Sequence, residues 1–246
     1  MDKKYSYEEL LEIIATLRSE NGCPWDREQT HESLKEHLVE ECYELVEAIE
    51  KADEQLMQEE LGDVLLQLVM HAQIAKEEGR FSMEEVVDGI AKKMVHRHPH
   101  VFKKEGQNTD DLLEVKSANE VLSNWEKIKA KEKSEKSIVE SMERVAKTLP
   151  ALMRAQKIQK NAMKLSEETY HPDEQIDTII NMLNALKYED LQQNNKEIAS
   201  KIEKIMFEVV NLSTFFDINA EFTLTKSVEK FINRFRYIEN SRFDKH

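Results

Sequence analysis

Glycine and proline are scarce, with five and four in 246 residues. So few turn formers disfavour a sheet protein with many tight corners and favour long helices. Cysteine is scarcer still: Cys23 and Cys42 alone cannot build a disulfide framework or a thiolate metal site, and they fit a reducing compartment. No run has the unbroken apolar length of a membrane span, and the opening MDKKYSYEEL lacks the apolar core of a signal peptide, so a cytoplasmic protein without membrane contact is expected. Positive charge is also in deficit. Thirty-five Lys and Arg against 49 Asp and Glu leave a net charge of -14, which repels nucleic acid and anionic lipid but leaves room for a small anion bridged by a metal. What is present is 40% hydrophobic and 34% charged residues, in a chain long enough for one large domain or two small ones.

The apolar spacing predicts an all-α protein. Leu10, Leu11, Ile13, Ile14 and Leu17 recur at helical intervals over 7–18, and the pattern stops in a loop at ENGCPWD. Further helices are predicted over 31–50, over 54–77 with Gly79 closing it, and over 82–98. Ser82 and Glu85 stand in capping-box spacing at the start of the last, and Pro99 halts it. After a polar stretch comes a Lys/Glu-rich helix over 112–133, read as a solvated connector. From Pro150 no glycine occurs, and three or four more helices run to about residue 238. Residues 1–110, 111–148 and 149–246 are thus read as a first helical unit, a connector and a second helical unit.

One stretch concentrates acid. In EECYELVEAIEKADEQLMQEELGD, Glu41 and Glu44 share a helical face with Glu40 at its rim, and Glu60 and Asp63 repeat the spacing on the next helix. If the two helices run antiparallel, four carboxylates converge. Mutual repulsion would raise their pKa values, so such a site is reasonable only round a cation, and hard oxygen ligands select Mg²⁺ or Mn²⁺. The plain alternative is a set of solvated glutamates, but Glu60 and Asp63 lie just before the apolar VLLQLVM. Gly62 between them costs the helix about 1 kcal/mol relative to Ala, which points to close approach by a ligand or another helix. A di-iron bundle would need a Glu-x-x-His pair where Glu60 is followed by Asp63. Zinc on His96, His98 and His100 is disfavoured because Pro99 breaks the helix and no Cys or acid stands at ligand spacing.

The segments GCPWDREQTHESL, VEECYELVEAI, EELGDVLLQLVMHAQIAKEEGRFS, HRHPHVF and LPALMRAQKIQKNA resemble the two-copy MazG nucleoside triphosphate pyrophosphohydrolases over nearly the whole chain. The family signature pairs EExxE with ExxD, and Glu40, Glu41, Glu44, Glu60 and Asp63 stand at those positions. The resemblance implies Mg²⁺ binding there, hydrolysis of nucleoside triphosphates to monophosphate and pyrophosphate, and a dimer of helical units. Phosphoanhydride cleavage needs neutralised phosphate oxygens and a positioned water, with no side-chain nucleophile. Glu41, Glu44, Glu60 and Asp63 are therefore the expected metal ligands, and Glu40 the candidate base that orients water. Lys93 and Arg97, four apart on one helical face and matching family basic positions, are candidates for the phosphates. Trp25 is a candidate for stacking on the base, although packing is the commoner use of a loop tryptophan, and Trp125 reads as a packing anchor.

The second half departs from this pattern. Aligning IMFEVV (205–210) with VLLQLV (64–69) puts Lys201 and Lys204 opposite Glu60 and Asp63, and Met182 and Ala185 opposite Glu41 and Glu44. The basic pair persists as Lys230 and Arg234. A degenerate C-terminal copy without its own metal site is expected, serving as scaffold, dimer surface or nucleotide sensor. The competing reading is a non-catalytic nucleotide-binding or regulatory protein, and turnover separates the two. Preferred base, sugar and cellular role are not written in the residues.

Overall fold

The computed structural model describes residues 3–102, 117–133, 137–165, 171–187 and 195–243. Among them are eleven helices and no strand: α1 (Tyr7–Leu17), α2 (Pro24–Glu28), α3 (Lys35–Lys51), α4 (Glu54–Glu77), α5 (Met83–Arg97), α6 (Ala118–Lys133), α7 (Ile138–Glu143), α8 (Ala151–Leu165), α9 (Pro172–Lys187), α10 (Asn195–Phe215) and α11 (Ala220–Phe243). The fold is all-α, as the spacing predicts. The chain divides into two units, Met1–Ile128 and Lys129–His246, with the boundary inside α6. The first part of the predicted connector, through residue 116, lies outside the described residues.

In the first unit α4 is the central strut, packing on α1, α3 and α5. Its C-terminal half carries the core: Val69, Met70 and Ile74 close on Ile14 of α1 and on Leu34, with Leu10, Leu11, Leu17, Leu65 and Leu66 packed around them. The N-terminal half of α4 is left for polar work. Ser6 caps α1 with a reciprocal Ser6–Glu9 box, and Asp53 starts α4 by accepting from the amides of Gln55 (3.1 Å) and Leu56 (3.0 Å). The link from α3 to α4 is a single tight corner. Ala52 takes the left-handed conformation (φ 52°), and Asp53 N–H donates to the Ala48 carbonyl at 3.1 Å, a Schellman-type closure that turns the chain straight back.

Two local features depart from the predicted loop and helix. The segment read as a loop contains α2, with Pro24 at its first turn, where the missing N–H costs nothing and the fixed φ suits a helix. Residues 31–34, predicted helical, form a turn before α3. There the amides of Thr30 and Ser33 bond to each other's hydroxyls (2.9 and 3.1 Å), so the backbone is satisfied without a helical turn. Gly22 is required nearby: a Cβ would fall 2.2 Å from the Leu17 carbonyl oxygen, where Cys23 N–H also bonds at 2.8 Å.

The second unit packs α8 against α7, α10 and α11, and α9 against α10. Its interior is tied by glutamines. Gln156 donates to the Ile218 carbonyl (2.7 Å) and accepts from Ala220 N–H (2.9 Å), while Gln159 donates to the Phe207 carbonyl (2.9 Å). Val145 and Ser141 are buried there. Among the described residues no helix is long and apolar enough to cross a membrane.

Candidate metal centre

The sharp corner at Ala52 lays α3 antiparallel along α4, so residues about ten positions either side of it come abreast. Glu41 of α3 meets Glu60 and Asp63 of α4, and one carboxylate oxygen from each lies within 4.8 Å of the others. Glu60 is buried, at 7% exposure, and Glu41 and Asp63 are half-buried. Burial pushes the Glu60 carboxyl above the usual carboxylate range, and the charges of Glu44, Asp63 and Glu41 push it further. Glu41 is raised in the same way, first by burial and then by Asp63, Glu44 and Glu40, against a small opposing pull from His37.

Glu44 is exposed, and its oxygen does not join that group of three, although its charge acts on two of the three. Glu40 is exposed as well, with its oxygen 3.7 Å from His37 Nδ1. The donor set is all hard oxygen, the type that takes Mg²⁺ or Mn²⁺ rather than zinc. On one octahedral Mg²⁺ adjacent oxygens stand about 2.9 Å apart and opposite ones about 4.2 Å, so the three carboxyls would draw in by up to about 2 Å, which rotation of the side chains supplies. The residues therefore fit a divalent cation, which would discharge the repulsion that now raises their pKa values.

The other candidates lie on neighbouring elements. Lys93 and Arg97 are on α5, which packs on α4; Lys93 is exposed, and the Arg97 guanidinium lies over the Trp125 ring at 5.4 Å from its centroid. Trp125 thus packs on a cation. Trp25 is 58% exposed on α2. The loop bearing it is held by Arg18, which sequence reasoning did not single out. Its side chain is 5% exposed, donates to the carbonyls of Asp26 and Gln29 (2.5 and 3.1 Å), and forks onto Glu77 of α4 at 2.8 to 3.2 Å. Arg18 and Gln73 hold the Glu77 carboxyl below its usual range, Arg18 being the larger influence. The only trace of this clamp in the sequence is a basic residue ending an amphipathic helix.

In the second unit Lys201 is half-buried and 3.4 Å from Glu197, and Lys204, Lys230 and Arg234 are exposed. Among the described residues, the group formed by Glu41, Glu60 and Asp63 is the one with three metal-capable side chains gathered together.

Fold and site define an all-α protein with a carboxylate cluster, suited to a divalent cation, on a helical hairpin. Comparison with known proteins narrows this class. A domain described as the MazG nucleotide pyrophosphohydrolase domain matches residues 29–102, which hold both acid-bearing helices. A Thermotoga maritima protein named nucleoside triphosphate pyrophosphohydrolase/pyrophosphatase MazG is 41% identical over 233 residues, covering 95% of this chain and 85% of the relative. An Escherichia coli K12 nucleoside triphosphate pyrophosphohydrolase is 37% identical over 233 residues, covering 94% and 86%. The uncharacterized protein YabN of Bacillus subtilis is 43% identical over 232 residues, which is 93% of this chain but 45% of that longer protein. The chain belongs to the MazG nucleotide pyrophosphohydrolase family.

Proposed function

We propose that the protein hydrolyses nucleoside triphosphates to nucleoside monophosphate and pyrophosphate with Mg²⁺, or Mn²⁺ in its place, and that the first unit carries the reaction. The observation that supports this most is the convergence of Glu41, Glu60 and Asp63 within 4.8 Å across the α3–α4 hairpin. These three hold the cation, and Glu44, whose charge already reaches Glu41 and Glu60, completes the set. Bound there, the cation supplies charge neutralisation to the phosphate oxygens and acidity to water. The protein's own work is positional: Glu40 orients water at the rim, Lys93 and Arg97 contact the phosphates, and Trp25 offers a face to the base.

The second unit is read as the degenerate copy. Lys201 and Lys204 stand where the first unit has Glu60 and Asp63, and lysine repels a divalent cation. A homodimer is the working form in this reading. On α5, Val87, Ile90 and Met94 make a stripe at helical spacing that is 46%, 50% and 36% exposed, and α5 buries no residue in its own unit. A helix whose apolar stripe stays this exposed among the described residues is best satisfied by a second copy. A cytoplasmic setting fits both the free thiols and the substrate.

The test is pyrophosphate release from a mixed set of nucleoside triphosphates by full-length protein, with and without Mg²⁺, beside Glu60→Gln. Turnover is expected only with the metal, and the variant should lose more than about 100-fold. Wild-type rates in Glu60→Gln would refute the site.

A further inference from the structure

Further along α4 from the acids, in its core-bearing half, a second polar contact joins the lead-in of α3 to α4. His31 and His71, forty positions apart, lie edge to edge in nearly one plane, with centroids 5.1 Å apart, planes 3° apart and Nδ1 atoms 2.8 Å apart. The other nitrogen of His31, Nε2, meets Nη2 of Arg80, which is also paired with Glu78. His71 Nε2 is buried with no protein partner.

The proton positions follow by elimination. A guanidinium has donors and no acceptor, so His31 Nε2 accepts. Its proton then sits on Nδ1 and is donated to His71 Nδ1. His71 carries its own proton on Nε2. The contacts between the three residues hold only with both rings neutral, at the cost of a buried His71 Nε2–H without a protein acceptor: a proton added to His71 Nδ1 would set two N–H groups against each other, and one added to His31 Nε2 would face the Arg80 guanidinium.

We infer that His31, His71 and Arg80 form a neutral-imidazole clasp that fixes the axial register of α3 on α4, making the two histidines positioning residues for the Glu41–Glu60–Asp63 cluster. The inference rests on reading that cluster as the cation site. Its lever is the stiffness of a helix. His31 lies in the capped turn directly before α3, close to buried Leu34, and Glu41 stands six residues past Lys35 at the start of that helix, about 9 Å along its rise. A slip at the clasp is passed along the helix and shifts Glu41 against Glu60 and Asp63, whose oxygens must all reach one ion at bond lengths fixed to about 0.2 Å.

Arg80 and, through it, Glu78 are the charged groups at the pair. Arg18 and Glu77, at the same end of α4, are engaged with each other and with the α2 loop. Burial, and then the neighbouring His31, hold His71 below the usual imidazole range. A depressed histidine pKa means the closed state is fully favoured above the unfolded value near ~6.5 and is lost as pH falls through the folded value. The clasp is therefore shut at neutral pH and opens on acidification.

Two measurements on the full-length protein test this. Long-range ¹H–¹⁵N correlation spectra at pH 8 should show His31 protonated on Nδ1 and His71 on Nε2, both neutral; a charged pair, or His31 protonated on Nε2, overturns the clasp. Mn²⁺ affinity, read by electron paramagnetic resonance in steps from pH 8 down to pH 5, tests the coupling. His31→Gln keeps one acceptor for Arg80 and one donor for His71, so it should match wild type within twofold at pH 8. His71→Leu should bind about tenfold more weakly at pH 8, the scale of lost outer-shell support. It should also lose less affinity than wild type across that range, because it has no clasp to open. Equal affinities at pH 8 for His71→Leu and wild type, or parallel losses on acidification, refute the coupling. If wild type binds no Mn²⁺, the cation reading fails, and the clasp is judged on the tautomers alone.

Discussion

Gly62 stands inside α4 between Leu61 and Asp63, and a Cβ built there meets nothing within 4 Å. Within its own chain the residue has no steric reason to be glycine, yet it costs helix stability. Gly62→Ala should therefore raise full-length stability in urea by about 0.5–1 kcal/mol. If a nucleotide or a second copy comes close there, turnover should fall about tenfold in the same variant. Unchanged turnover would show that the glycine serves no approach. The acids beside it carry a pH signature. Glu60 and Glu41 are raised in the folded state, so the metal-free fold loses stability as pH climbs from the ordinary carboxylate range near ~4.3 through their raised values. Glu60→Gln should raise the metal-free melting temperature at pH 7 and flatten that decline; a variant that melts lower at pH 7 would contradict the repulsion.

At the scale of elements, the α3–α4 hairpin sets the site, and its corner is strained. Ala52 sits at φ 52°, ψ 37°, where a Cβ is penalised and glycine is not. Ala52→Gly should stabilise the protein by about 0.5–1 kcal/mol, the conformational gain exceeding the added freedom of the unfolded chain. Because the capping bonds to Ala48 and Ile49 are backbone bonds, the register of the hairpin should be kept, and turnover with it. Chemical denaturation of the full chain checks the sign. The Arg18 clamp works on a second element. It ties α2, with its exposed tryptophan, to the last turn of α4 through charge-assisted bonds that a loop of polar residues could not make alone.

At the scale of the molecule, the chain holds two units, and the proposed reaction is assigned to the first. The second unit includes α7, which packs on α8, with Asn161 donating to the Ser141 carbonyl at 3.2 Å, so a fair fragment begins at residue 129. That fragment should release no pyrophosphate with Mg²⁺ and should bind nucleotide weakly at most. Any binding should be salt-sensitive and independent of metal, since Lys201, Lys204, Lys230 and Arg234 offer charge without a cation site. Robust release by the fragment would mean that acids such as Glu203 or Glu208 build a second site, and that the halves are misaligned.

Helix existence and type were legible in the residues because the forces that set them act within a turn or two. Apolar spacing placed α1, α4 and α5 close to their observed limits, Ser82 and Glu85 announced a start where Ser82 N–H donates to Glu85 at 2.8 Å, and five acids marked the hairpin as the place for chemistry. Family membership was legible for the same reason, since it rests on short motifs in order. Tertiary structure decided what local patterns cannot reach. Of five acids, three gather within 4.8 Å of one another across the antiparallel crossing; Glu44 and Glu40 share the sequence spacing but stay exposed, and Glu44 acts on Glu60 and Glu41 through its charge. The His31–His71 pair and the Arg18–Glu77 fork join residues 40 and 59 positions apart. No periodicity encodes such contacts. They exist because packing of Ile14, Leu34, Val69, Met70 and Ile74 fixes the depth and register at which α1, the lead of α3 and α4 meet.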